Sequence, residues 1–119
     1  MWTDRIETKT DYTDILEYLE LMDGFHDYRI GYIDYDGEKA RITVEEVLPG
    51  KDLKDDAGLI WDFAFEKVRD YHFHVDCQLS FYIYEVVKGN ESGRLFFELN
   101  GGYIEICANK ISLGIPEKE

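Results

Sequence analysis

Two histidines and an aspartate at alternate positions, His72, His74 and Asp76, are the residues in this chain best suited by type and spacing to hold a metal. On a strand, side chains two apart share a face and stand about 7 Å apart, close enough for His72, His74 and Asp76 to converge on one ion. A structural zinc site needs a fourth ligand, and Cys77 falls on the opposite face of a regular strand. Beside this metal or enzyme reading of His72/His74 stands the simpler one, two solvent-facing imidazoles on an amphipathic strand.

A second pair, His26-Asp27, has the residue types of a catalytic base and its orienting carboxylate. Neighbours on a strand face opposite ways, so the pair is not expected to bond side chain to side chain. The candidate nucleophiles do not complete it. Ser80, Ser92 and Ser112 lack a glycine-flanked elbow, and Cys77 and Cys107 lack basic neighbours in sequence. Acidic doublets such as Glu45-Glu46 and Asp55-Asp56 arise by chance in a chain with 26 acidic residues, so none stands out as an acid–base pair. Neither the charged loop 49–58 nor Asp34-Tyr35-Asp36-Gly37-Glu38 supplies the alternating oxygens and closing glutamate of a calcium loop. The chain is therefore read without a cofactor and without catalytic residues.

The elements that position these residues follow from periodicity. Ile15, Leu16, Leu19 and Met22 recur on one helix face, Asp11 is a good N-cap and Asp14 and Glu17 fall early, where the helix dipole favours negative charge. One helix is predicted over residues 12–22. Gly24 suits the left-handed position that ends a helix, and Phe25 just beyond it can fold back on the last turn. Phe25, His26 and Asp27 then make a structural corner between helix and strand.

From there the period is two. Residues 28–33 are predicted to pair with 39–47 across Asp36-Gly37, a strong hairpin signal. Further strands are read over 59–66, 71–75, 79–87, 94–99 and 103–109, with 1–9 an edge strand or arm and 115–119 a frayed tail. The fold class is mainly β (α+β): a seven-stranded antiparallel meander forming a half-barrel or small sandwich, with one N-terminal helix, as a single domain spanning residues 1–119.

The length of 119 residues allows a real core, and 45% hydrophobic with 15% aromatic residues argues against disorder. A formal charge of −13 disfavours nucleic acid and anionic lipid and favours a basic protein partner. No apolar run approaches the about 20 residues of a membrane span, no secretory signal is read at the start, and two cysteines make no disulfide framework, so a cytoplasmic location is expected. The sequence leaves the oligomeric state open.

The second face of the fifth strand sets Tyr82, Tyr84 and Val86 where a wet strand would show lysine or threonine. Covered by the helix 12–22, which is the favoured arrangement, this face would keep its tyrosine hydroxyls at the rim. Left open, it makes a binding surface of Tyr82 and Tyr84 ringed by acid such as Glu45, Asp62 and Glu66.

The stretch Gly24-Phe25-His26-Asp27-Tyr28-Arg29-Ile30, the Tyr-Asp-Gly hairpin, and Trp61-Asp62-Phe63-Ala64-Phe65-Glu66-Lys67-Val68-Arg69-Asp70-Tyr71 together resemble a group of small bacterial β-rich proteins. These carry Phe-His-Asp after a helical or acidic lead, and some are classed as immunity proteins of polymorphic toxin systems. The resemblance implies a β-rich fold and a role in neutralising a toxin. It brings no catalytic residues. The expected function is thus an acidic, non-enzymatic, immunity-like binding protein acting on a basic, nuclease-like toxin. Its alternatives are a small metal protein or enzyme using His72/His74, and a self-associating structural domain.

Overall fold

The structure is a computed structural model that describes residues 5–46, 59–75 and 82–116. Among these described residues it is mainly β: seven antiparallel strands in one sheet, with a single α-helix. In chain order these are β1 (Arg5–Lys9), α1 (Tyr12–Leu21), a 3-10 turn (Asp23–Phe25), β2 (Arg29–Tyr35), β3 (Ala40–Glu45), β4 (Ile60–Val75), β5 (Ile83–Lys88), β6 (Arg94–Leu99) and β7 (Gly102–Pro116).

The path across the sheet is β2-β3-β4-β7-β6-β5, two three-stranded meanders joined where the long strands β4 and β7 pair. β1 adds to the far end of β7, with Lys9 opposite Leu113 and Arg5 opposite Pro116. The two ends of the path meet at one bridge between Arg29 and Tyr82. There the Asp27 amide donates to the Ile83 carbonyl (2.9 Å) and the Ile83 amide to the Tyr28 carbonyl (2.8 Å). The sheet therefore curls into a half-barrel, pinned at one corner.

Three expectations change. The segments 59–66 and 71–75 are one strand, because the charged run between them holds neither glycine nor proline. The chain passes it through a bulge, with Lys67 at φ +56° and a register slip between Val68 and Asp70. The residues read as a frayed tail include Ile115 and Pro116, buried and paired with β1; residues 117–119 lie outside the described residues. The fifth strand does not have two simple faces. A bulge between Ile83 and Glu85 shifts its phase, so Ile83 and Val86 both point inward while Tyr84 stands half exposed.

α1 is built as its sequence implies. The Asp11 carboxylate accepts from the amides of Thr13 (2.9 Å) and Asp14 (3.2 Å), and Ile15 and Leu19 enter the core. That stripe joins Ile83 and Val86, so the helix faces the core rather than the side of β5 that carries Tyr84; the favoured cover of Tyr84 is corrected accordingly. Two tyrosines tie α1 to the sheet. The Tyr12 hydroxyl donates to the Arg94 carbonyl (2.6 Å), and the Trp61 indole N–H donates to the Tyr18 hydroxyl oxygen (2.8 Å). At the centre, Phe25 is fully buried, edge-on to Trp61 (5.3 Å), Tyr28 (5.4 Å) and Phe63 (6.1 Å). In the first hairpin, the Asp36 carboxylate accepts from the Glu38 and Lys39 amides, and these bonds hold its pKa below the usual carboxylate range.

No helix among the described residues is long and apolar enough to cross a membrane.

Candidate functional site

The corner between α1 and β2 is made of left-handed backbone. Asp23 (φ +55°), Gly24 (+64°), Phe25 (+58°) and Asp27 (+72°) all lie in the region that L-residues avoid. The reason lies in what the turn achieves. It lays Gly24 against the edge of β5, where a Cβ would stand 2.7 Å from Glu85 Cγ and 3.2 Å from the Val86 amide nitrogen. Only glycine permits this approach. The turn also carries Phe25 into the core and covers an edge of β5 that would otherwise be open to another strand.

His26 and Asp27 sit on the outside of this corner, both exposed. His26 Nδ1 lies 2.8 Å from the Tyr84 carbonyl, which can only accept, so the ring carries a proton on Nδ1. Its Nε2 lies 3.6 Å from Asp27 Oδ2. The expectation that His26 and Asp27 face apart is overturned, because the left-handed φ of Asp27 breaks the strand alternation. The Tyr84 carbonyl first, then the charge of Asp27, with Asp23 and Glu85 adding, push the His26 pKa up. The ring of Tyr84 meets the imidazole edge-on at 5.6 Å. The pair thus closes on the backbone of β5, and no nucleophile joins it among the described residues.

Between α1 and β5 the corner opens into a groove of about 500 Å³. Leu16, Leu19, Val86 and Val87 line it together with Glu20, Asp23, Glu85 and Lys88. Leu21, 81% exposed, follows directly on Glu20 in the last turn of α1.

The outer face of β4, β7 and β6 is the other concentration of reactive groups. Arg94, mostly buried, donates to Asp70 (2.9 Å), Glu105 (3.1 Å) and Glu91 (3.3 Å), leaving its Nε without a partner. Asp70 in turn lies 2.9 Å from His72 Nε2. The Arg94 bond first, with His72 adding, holds the Asp70 pKa down, and Asp70 first holds the Arg94 guanidinium charged far above any working pH. Cys107 lies beneath, fully buried, donating to Glu91 (3.3 Å) and accepting from Arg69 (3.1 Å). Burial pushes its thiol pKa up, the reverse of an activated nucleophile.

The residues singled out in the sequence are dispersed. His72 is committed to Asp70, and His74 stacks on Tyr103 at 5.2 Å. Asp76, Cys77, Ser80 and the loop 49–58 lie outside the described residues, and no group of three metal-ligating side chains exists among those described. Tyr82, partly buried, makes the bridge to Arg29, while Tyr84 stands half exposed beside His26. Glu45 pairs with Arg29 and Asp62 takes both arms of Arg41 (2.9 and 2.7 Å), so these two carboxylates are already neutralised. Glu66 is exposed opposite Lys110 in a separate 530 Å³ depression. Tyr82 and Tyr84 are thus near the corner, whereas Glu45, Asp62 and Glu66 belong to other surfaces.

Three further exposed aromatics are Tyr32 and Tyr35 on β2 and Phe73 on β4; Ile30, Gly31, Tyr32, Ile33 and Phe73 line a shallow 300 Å³ depression. Tyr35 stacks on Tyr71 at 4.1 Å. Sequence periodicity missed the groove-lining set Glu20, Asp23 and Glu85, whose meeting depends on the left-handed turn. The only signal for it was Gly24.

Comparison with protein-family models, with curated proteins and with solved structures finds no match for this chain.

Proposed function

We propose that the chain is an acidic, non-enzymatic binding protein that captures and neutralises a basic protein, in the manner of the immunity proteins it resembles, in a reducing cytoplasm. The observation that carries this reading is where the cations go. Of the 13 lysines and arginines set against 26 acidic residues, Arg29, Arg41 and Arg94 are taken up by Glu45, Asp62 and the Asp70–Glu91–Glu105 cluster. Exposed Glu17, Glu20, Asp23, Glu85 and Glu98 have no ion-pair partner among the described residues. With a formal charge of −13 the unpaired acids outweigh the remaining cations, and this excess speeds encounter with a basic surface and repels phosphate backbones.

Half-exposed Tyr84 and the aromatics Tyr32 and Phe73 offer the kind of contact that anchors protein interfaces. The burial and raised pKa of Cys107 argue against that thiol as a nucleophile.

The test is to purify the product of the adjacent reading frame and mix it with this protein. The expected result is a stoichiometric complex that suppresses the partner's activity, with an association rate falling by about tenfold or more between low and high salt. A partner that is not basic, or the absence of a complex at low salt, would overturn the proposal.

A further inference from the structure

We infer that the groove between α1 and β5 receives a lysine or arginine side chain of the basic partner, its methylenes lying on Leu16 and Val87 and its charge facing Glu20, Asp23 and Glu85. This rests on the reading of the chain as a binder of basic proteins and adds the place and the chemistry of the contact.

Three features of the groove match a long basic side chain. Its floor is apolar, with Leu19 and Val86 buried and Leu16 and Val87 partly so, which suits the aliphatic stem of lysine or arginine. Its rim is acidic on both walls: Glu20 and Asp23 come from the end of α1 and the turn, Glu85 from β5. Its volume of about 500 Å³ leaves room for such a side chain together with the residues that flank it.

The carboxylates do not form a metal cluster, since no three ligating groups come together among the described residues; they are spread along a slot instead. Carboxylates along an apolar-floored slot act on a cation at low effective dielectric, where attraction is stronger than at an open surface. Asp23 and Glu85 also favour the imidazolium of His26, after its direct partners Tyr84 and Asp27. The groove also holds its shape without the ligand. Gly24 fixes one wall against Glu85 and Val86, and Leu19 is part of the core. A preformed slot saves the ordering cost that weakens flexible sites.

Lys88, which also lines the groove, is the internal competitor. It is exposed and makes no ion pair with these carboxylates among the described residues. Beside the groove, Leu21 and Tyr84 supply apolar contact for the residues on either side of the inserted cation.

The experiment is an NMR titration of the isotopically labelled full chain with a hexa-arginine peptide at low salt, repeated for variants. Saturable shifts are expected at the amides of Glu20, Gly24, Val87 and Lys88. Glu20→Gln combined with Glu85→Gln should weaken the peptide by about fivefold or more while the spectrum stays folded. Asp34→Asn combined with Glu38→Gln removes the same charge at the first hairpin and should change affinity by less than about twofold. Lys88→Met should tighten binding.

Equal weakening by the two double variants would show generic charge attraction and overturn the inference, as would shifts centred elsewhere or none at all. A partner complex insensitive to the Glu20/Glu85 variant would likewise remove the groove and leave the binding function standing. Failure to bind any basic protein would remove the function itself.

Discussion

The Arg94 cluster and the α1–β5 groove contain the same chemical material arranged to opposite ends. In the first, three carboxylates surround one arginine that is mostly withdrawn from water and an imidazole pairs with one of them, so charge is consumed within the protein's own pairs. In the second, three carboxylates line an apolar slot whose one cation, Lys88, is not engaged with them among the described residues. An acidic composition alone therefore says little about binding. What separates scaffold from site is whether the fold places a cation among the acids.

Phe25 anchors in the core the turn that carries Asp23 and Gly24 of the groove, and its replacement should have the largest effect. Phe25→Ala empties a fully buried site ringed by Trp61, Tyr28 and Phe63, and is expected to cost about 3–5 kcal/mol, read as a lower chemical-denaturation midpoint. Arg94→Ala comes next. It strands Asp70, Glu105 and Glu91 beside one another, and because two of these are more than one-third exposed the expected lowering of the denaturation midpoint is smaller than that for Phe25→Ala and than the cost of breaking a fully buried pair. If Arg94→Ala left stability unchanged, the cluster would not be a scaffold and the contrast with the groove would collapse.

Much of this arrangement is legible in the chain, and the rest is hidden for identifiable reasons. The helix over residues 12–22, the Asp36-Gly37 hairpin and a mainly β half-barrel follow from periodicity and turn chemistry, which act over a few residues. The bulges at Lys67 and between Ile83 and Glu85 carry no such mark. Each shifts the phase of a strand, and the second dissolved the Tyr82–Tyr84–Val86 face that strict alternation implies. Gly24 was readable as a helix stop, but that it brings Glu85 beside Glu20 and Asp23 depends on which strand lies next to the turn. The Arg94 cluster draws on β4, β6, β7 and the turn before β6, and cross-strand partners so far apart in sequence are not visible without the register.

A smaller effect sharpens the comparison from the groove side. Glu20→Gln with Glu85→Gln should leave stability within about 0.5 kcal/mol of the parent, or raise it slightly through reduced repulsion, because neither acid is paired among the described residues. Thermal unfolding of both proteins at low salt measures this. A clear loss of stability would mean that these acids have internal partners and that the groove is scaffold, like the Arg94 cluster.

The smallest effect concerns His26, at the border of the groove, and its sign follows from linkage. The Tyr84 carbonyl and Asp27 raise the imidazole pKa in the folded protein above its unfolded value of about 6.5. A group raised on folding contributes stability that is fully present below the unfolded pKa and is lost as pH rises through the folded pKa. His26→Ala should therefore lower the melting temperature more at pH 5.5 than at pH 8, a small difference because the ring is half exposed. The part that persists at pH 8 reports the neutral Nδ1–H bond to Tyr84, which needs no charge. Equal losses at both pH values would leave only that neutral bond and show that the negative field at the corner does not reach the imidazole. The acids of the groove would then be screened by water too well to hold a partner's cation, and the distinction between the two regions would rest on geometry alone.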